Sequence, residues 1–134
     1  MGSIPDGIGE LGKLRALNLD DNELYGTLPH TLGELTSLEY LSAKSNVISG
    51  GLPASMKLMT GLKTLNLASN ALSGHLKHLS DMSSLENVHL YQNSFTGSID
   101  GSLFSALPNL EVLFLSSNLL TGGIPSEVAS SQKK

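Results

Sequence analysis

Five asparagines, Asn22, Asn46, Asn70, Asn93 and Asn118, stand 24, 24, 23 and 25 positions apart and divide the chain into copies of one pattern. Each is preceded by the spacing L-x-x-L-x-L-x-x-N and followed by N-x-L-x-G; the first full copy reads LRALNLDDNELYGTLP, from Leu14 to Pro29. A fixed period of this length marks a stack of like units, since one unit cannot bury its apolar face without neighbours. Five and three residues before the asparagines stand Leu17, Leu41, Leu65, Val88 and Leu113, and Leu19, Ala43, Leu67, Leu90 and Leu115. That alternation has period 2, so each copy is expected to supply a short strand with one face inward. Ala43 replaces a leucine and predicts a local gap or a closer strand approach.

Two residues after the asparagines come Leu24, Ile48, Leu72, Phe95 and Leu120, also expected inward, and four after them Gly26, Gly50, Gly74, Gly97 and Gly122. The chain must reverse there, and positive φ would be penalised by a Cβ. The asparagines have a structural purpose. A buried amide carries two donors and an acceptor, enough to satisfy backbone groups of its own turn and the next. The return half of each copy carries Thr27-Leu28-Pro29, Gly51-Leu52-Pro53 and Gly123-Ile124-Pro125, with Ser3-Ile4-Pro5 left from an incomplete copy. Further on, Ile8, Leu32, Met56, Leu103 and Val128 recur. Brief, proline-punctuated segments predict extended and 3₁₀ pieces rather than full helices. The proline column is broken at Lys77 and Asp100, which makes His75–Leu79 the most irregular turn.

With these columns in place, the sequence resembles leucine-rich repeat proteins of the plant-specific class, whose consensus is L-x-x-L-x-x-L-x-L-x-x-N-x-L-x-G-x-I-P-x-x-L-G. The copy from Leu11 to Glu34 follows it throughout, and the likeness covers residues 3 to 129. It is similar to ectodomains of plant receptor-like kinases and receptor-like proteins, and to polygalacturonase-inhibiting proteins. The resemblance implies an α/β-type right-handed solenoid with a concave parallel sheet of about five strands and a convex side of extended and 3₁₀ segments. It further implies ligand or protein contacts along the concave face and a cell-surface or extracellular setting; the residues themselves hold no catalytic constellation, so no enzymatic activity is expected. A fold by itself does not settle function.

The 134 residues make one domain: a partial repeat 1–10, repeats 11–34, 35–58, 59–81, 82–106 and 107–130, and a disordered tail 131–134. Such arrays need covered ends, and neither end supplies a cap. The expectation is a piece of a longer protein, or a cap-poor member that associates through its ends. A net charge of −4 without a basic stripe argues against nucleic acid. No apolar run is long enough to span a membrane, and the N-terminus lacks the charged and apolar regions of a signal peptide. The chain has no cysteine and no N-x-S/T sequon, which fits a cytoplasmic protein as well as a segment of a secreted one.

No nucleophile elbow or phosphate loop occurs, and neither a metal nor another cofactor is expected. His75, His78 and Asp81 read as exposed polar residues rather than ligands. Asp20 and Asp21 read as solvated, not as a catalytic pair. Information about recognition resides in the outward columns. Seven before the asparagines stand Arg15, Glu39, Lys63, Glu86 and Glu111, whose alternating signs in the first four suit cross-strand pairing worth little each. Aromatic residues are scarce, yet Tyr40, Tyr91 and Phe114 all fall in outward columns, and aromatics anchor interfaces. The candidate ligand-binding residues are therefore Tyr40, Asn66, His89, Tyr91, Val112 and Phe114, with a protein or peptide as ligand. His89, Tyr91, Val112 and Phe114 form one semi-apolar patch and Tyr40 stands apart. The alternative is that Phe114 covers an end. Two other roles stay open: a scaffold stacking end to end, and an enzyme inhibitor acting through the same face.

Overall fold

The computed structural model describes residues 2–124. Pro125, Val128, the close of the last repeat and the tail 131–134 lie outside the described residues. In chain order the elements are β1 (Gly2–Ser3), a 3₁₀ helix η1 (Asp6–Glu10), β2 (Ala16–Asn18), β3 (Leu24–Tyr25), η2 (His30–Glu34), β4 (Tyr40–Ser42), β5 (Ser49–Gly50), η3 (Ala54–Leu58), β6 (Thr64–Asn66), β7 (Ala71–Gly74), η4 (Lys77–Asp81), β8 (Asn87–His89), β9 (Ser94–Phe95), α1 (Gly101–Ala106) and β10 (Val112–Phe114). Strands β2, β4, β6, β8 and β10 form one parallel five-stranded sheet in sequence order, so each repeat sits against the one before it. The inward-alternating pattern is realised as expected. Leu41, Leu65 and Val88 pair in register and are buried, and Ala43 is fully buried as well. The smaller Ala43 side chain leaves the ladder unbroken: its N–H donates to Asn66 O at 2.9 Å.

On the return side Pro5, Pro29 and Pro53 hold extended backbone just ahead of η1, η2 and η3, and the 3₁₀ bonds Ile8 N–H to Pro5 O, Leu32 N–H to Pro29 O and Met56 N–H to Pro53 O are each 3.0 Å. The broken proline column explains both irregular intervals. Without proline, Leu76 takes φ −97°, ψ 10° and η4 begins at Lys77, one residue sooner after the turn glycine than η2 or η3. In the next copy Asp100 replaces proline and caps six helical residues, its carboxylate accepting from Ser102 N–H at 2.9 Å. The extra residue closes a true α-helix, so the expectation of 3₁₀ and extended pieces fails for α1. Asp100 keeps the extended entry, φ −105° and ψ 169°, but its carboxylate satisfies an orphan N–H that no proline side chain can accept.

A further set of ladders was not visible in the columns. The segments after the asparagines pair into lateral sheets, β1 with β3 and β5–β7–β9, joined in kind by the bridges Thr27–Ser49 and Ser98–Thr121. Between the two strand systems the chain turns sharply. Asp21, Ser45, Ser69, Gln92 and Ser117, each just before an asparagine, have φ of 56–60°, a left-handed conformation that costs a side-chain-bearing residue energy. The turn glycines Gly26, Gly50, Gly74, Gly97 and Gly122 have φ of 79–89°, as their column requires.

The asparagine amides hold these turns. Asn46 accepts from Leu24 N–H at 2.9 Å and donates to the carbonyls of Leu19 at 2.9 Å and Ala43 at 3.1 Å. Asn70, Asn93 and Asn118 repeat the arrangement with Ile48, Leu72 and Phe95 as donors. Each therefore ties its own turn to the preceding one, not to the next. Asn22 reaches only Leu19 O and Asp20 O of its own turn and is exposed, so it lacks the burial expected of the column.

Candidate functional site

The concave sheet presents alternate side chains of β2, β4, β6, β8 and β10 to solvent. Parallel register places His89 beside both Asn66 and Phe114, Asn87 beside Val112, and Tyr40 beside Thr64. His89 is the centre of an aromatic group. Its ring stands edge-on to Phe114 with centroids 5.0 Å apart at 83°, and to Tyr91 at 6.4 Å and 73°. Edge-to-face packing suits the ring quadrupoles and holds the three side chains against one another. Phe114 is nonetheless 52% exposed, so much of its ring stays in contact with water.

Val112 is half-buried beside this group, and Asn66 lies at its other flank. The Asn66 side chain is already used, for its Oδ1 accepts from Ala68 N–H at 3.1 Å. The structure thus brings together His89, Tyr91, Val112 and Phe114, reaches Asn66 through His89, and leaves Tyr40 two strands away from His89.

The polar edges differ from the sequence expectation in two places. Asp20 is not merely solvated: its carboxylate accepts from Ser42 Oγ at 2.5 Å and from Lys44 N–H at 2.7 Å, linking two repeats. Desolvating Ser42, which is fully buried, requires such an acceptor. The alternating charge column also pairs less than expected. Among the described residues it yields one ion pair, Arg15 to Glu39 at 2.8 Å. Glu86 and Glu111, just ahead of β8 and β10, are backbone neighbours, the Glu111 N–H donating to Glu86 O at 2.8 Å.

His75, His78 and Asp81 do not converge, and among the described residues no three His, Asp or Glu side chains stand where they could hold a metal ion. No helix among them is long and apolar enough to cross a membrane. At the irregular turn a cleft of about 370 Å³ is lined by His75, Lys77, Ser98, Asp100 and Ser102 above Leu76, Ile99 and Leu103. Hydrogen bonds from the Ser102 hydroxyl and N–H hold the Asp100 carboxyl below its ordinary pKa.

Residues 1–121 match the model of the leucine-rich repeat region. A search of curated proteins gives no match. Solved structures do match. The plant peptide hormone receptor RGFR1 in complex with RGF2 is 35% identical, with a TM-score of 0.89 over 97% of this chain and 21% of that one. The leucine-rich repeat ectodomain of the Arabidopsis receptor kinase HAESA, solved with an extended IDA peptide hormone, is 30% identical, with a TM-score of 0.87 over 95% of this chain and 21% of that one. A plant ice-binding protein is 32% identical, with a TM-score of 0.86 over 96% of this chain and 42% of that one. The chain thus spans about a fifth of the length of these two receptors. The period, the asparagine-held turns, the lateral sheets and these matches agree: the chain belongs to the leucine-rich repeat family, in its plant-type class.

Proposed function

We propose that this chain is a non-enzymatic binding module, part of a receptor-like protein, that recognises a peptide or protein through its concave sheet. Phe114 carries the reading: a large apolar ring is held in place by His89 yet left half in water. Ordering such a ring before a ligand arrives lowers the entropy cost of binding. Tyr91, Val112 and His89 extend the contact, while Asn66 and Tyr40 would meet a longer ligand crossing towards the N-terminal strands. Structural relatives solved with peptide hormones support the reading.

The test is selection of a displayed random peptide library on the immobilised chain, followed by titration of the recovered peptides. The double variant Tyr91→Ala/Phe114→Ala should lose at least about tenfold in affinity, which is about 1.4 kcal/mol, with an unchanged circular dichroism spectrum. Recovered peptides that bind the double variant as well as the original chain would refute the concave site.

A second reading rests on the lateral sheets. Their register sets Thr27 beside Ser49 and Ser49 beside Ala71, then Ser73 beside Ser94 and Ser98 beside Thr121. A ladder of hydroxyls and methyls repeating about every 4.8 Å is suited to ordered water, and one relative is an ice-binding protein. Inhibition of ice recrystallisation that vanishes in Ser73→Lys/Thr96→Lys would favour this reading; inactivity of the original chain would dismiss it.

A further inference from the structure

We infer that the ligand of the concave face presents a basic side chain next to an apolar one, Lys or Arg beside a Leu-like or aromatic residue. This rests on the concave-face reading and adds to it the charge of the ligand.

Glu86 and Glu111 immediately precede β8 and β10. The Glu111 N–H donates to Glu86 O at 2.8 Å, so the two are direct neighbours in the stack. Like charges opposed on adjacent strands are destabilising. At the equivalent place in the first two full repeats the chain sets Arg15 against Glu39 and gains an ion pair. Lys63 adjoins Glu86 on its other side, its carbonyl accepting the Glu86 N–H at 2.8 Å, yet the only ion pair among the described residues is Arg15–Glu39. Two carboxylates thus share one edge of the sheet without a cation between them.

That edge lies beside the aromatic group. His89 and Phe114 close the strands that Glu86 and Glu111 lead into, three positions further on, about 10 Å at the usual rise per residue. Val112 stands between, half-buried and apolar. A lysine or arginine side chain matches this sequence of surfaces, since its methylene stem covers apolar groups while its charge stays at the wet rim. The next residue of the ligand then reaches the exposed edge of Phe114. An acidic ligand would add a third negative charge to Glu86 and Glu111, so the same feature that admits a cation excludes an anion.

The experiment uses the displayed random peptide library on the full chain, on Glu86→Gln/Glu111→Gln and on Tyr91→Ala/Phe114→Ala. Peptides recovered on the original chain should be enriched in Lys or Arg beside an apolar residue. They should bind the glutamine variant about tenfold more weakly, and lose affinity on the original chain as salt is raised. Glu86→Lys/Glu111→Lys should instead recover acidic peptides. Peptides without basic enrichment, bound equally by the original and glutamine chains but lost on Tyr91→Ala/Phe114→Ala, would overturn the charge inference and leave the concave site standing. Equal binding to all three chains, or no recovery at all, would overturn both.

Discussion

The side-chain amide of Asn93 donates to the carbonyl of Leu67, 26 positions earlier, at 2.9 Å. The same side chain accepts from Leu72 N–H at 2.9 Å, and it is 9% exposed. Removing it would strand buried backbone groups of two repeats at once. Asn93→Ala should therefore cost at least about 3 kcal/mol, because each unpaired buried group costs about 1–3 kcal/mol. Asn22→Ala, whose bonds stay within one exposed turn, should cost less than about 1 kcal/mol. Urea unfolding of both variants checks the contrast, and equal losses would disprove the assignment of the ladder to inter-repeat bonds.

Gly33 is a close-approach glycine rather than a turn glycine. A Cβ added there would collide with the backbone carbonyl of Ser55, at the contact between η2 and η3. Neighbouring 3₁₀ segments must separate to admit it, so Gly33→Ala should destabilise by about 1–3 kcal/mol, the usual range for overpacking. A Cβ at Gly12 meets nothing within 4 Å. Thermal denaturation should find Gly12→Ala close to the original chain; a comparable loss at both positions would remove the packing explanation.

Asp100 predicts a specific pH dependence. Its folded pKa is depressed by the Ser102 hydroxyl and N–H. The stabilisation is therefore present above the unfolded aspartate value of about 3.9 and is lost as pH falls through the lower folded value. NMR titration should place the Asp100 midpoint below that unfolded value. In Ser102→Ala, which deletes the hydroxyl donor but keeps the N–H, the midpoint should rise. An unmoved midpoint would show that the hydroxyl contact does not govern the shift.

The Arg15–Glu39 pair should contribute little despite its 2.8 Å separation. The two side chains are 71% and 40% exposed, so water and salt screen the attraction. A double-mutant cycle on Arg15→Ala and Glu39→Ala should give a coupling of about 0–1 kcal/mol that shrinks with added salt. A salt-insensitive coupling of several times that size would mean that the pair is effectively buried.

Much of this molecule was written in its local spacing. The leucine and asparagine columns specify inward strands and turns, because side-chain direction alternates along a strand whatever lies beside it. The glycine column likewise follows from a local backbone need, positive φ. His89, Tyr91, Val112 and Phe114 could be assigned to one face by counting positions, and Tyr40 set apart from them. The helix at Gly101–Ala106 has a local cause as well, an aspartate cap where the other copies carry proline.

Tertiary structure decided what one copy does to the next. The direction in which each asparagine reaches, the pairing of the lateral strands, the burial of Ser42 against Asp20, and the edge-on packing of His89 on Phe114 all join residues about one repeat apart. Such contacts depend on the lateral offset between stacked turns, which the chain adjusts at Leu76 and at α1. A periodic sequence specifies the members of every column. The offset, set by packing and by backbone hydrogen bonds between copies, decides which members touch, and it is this that sets the His89 ring edge-on to Phe114.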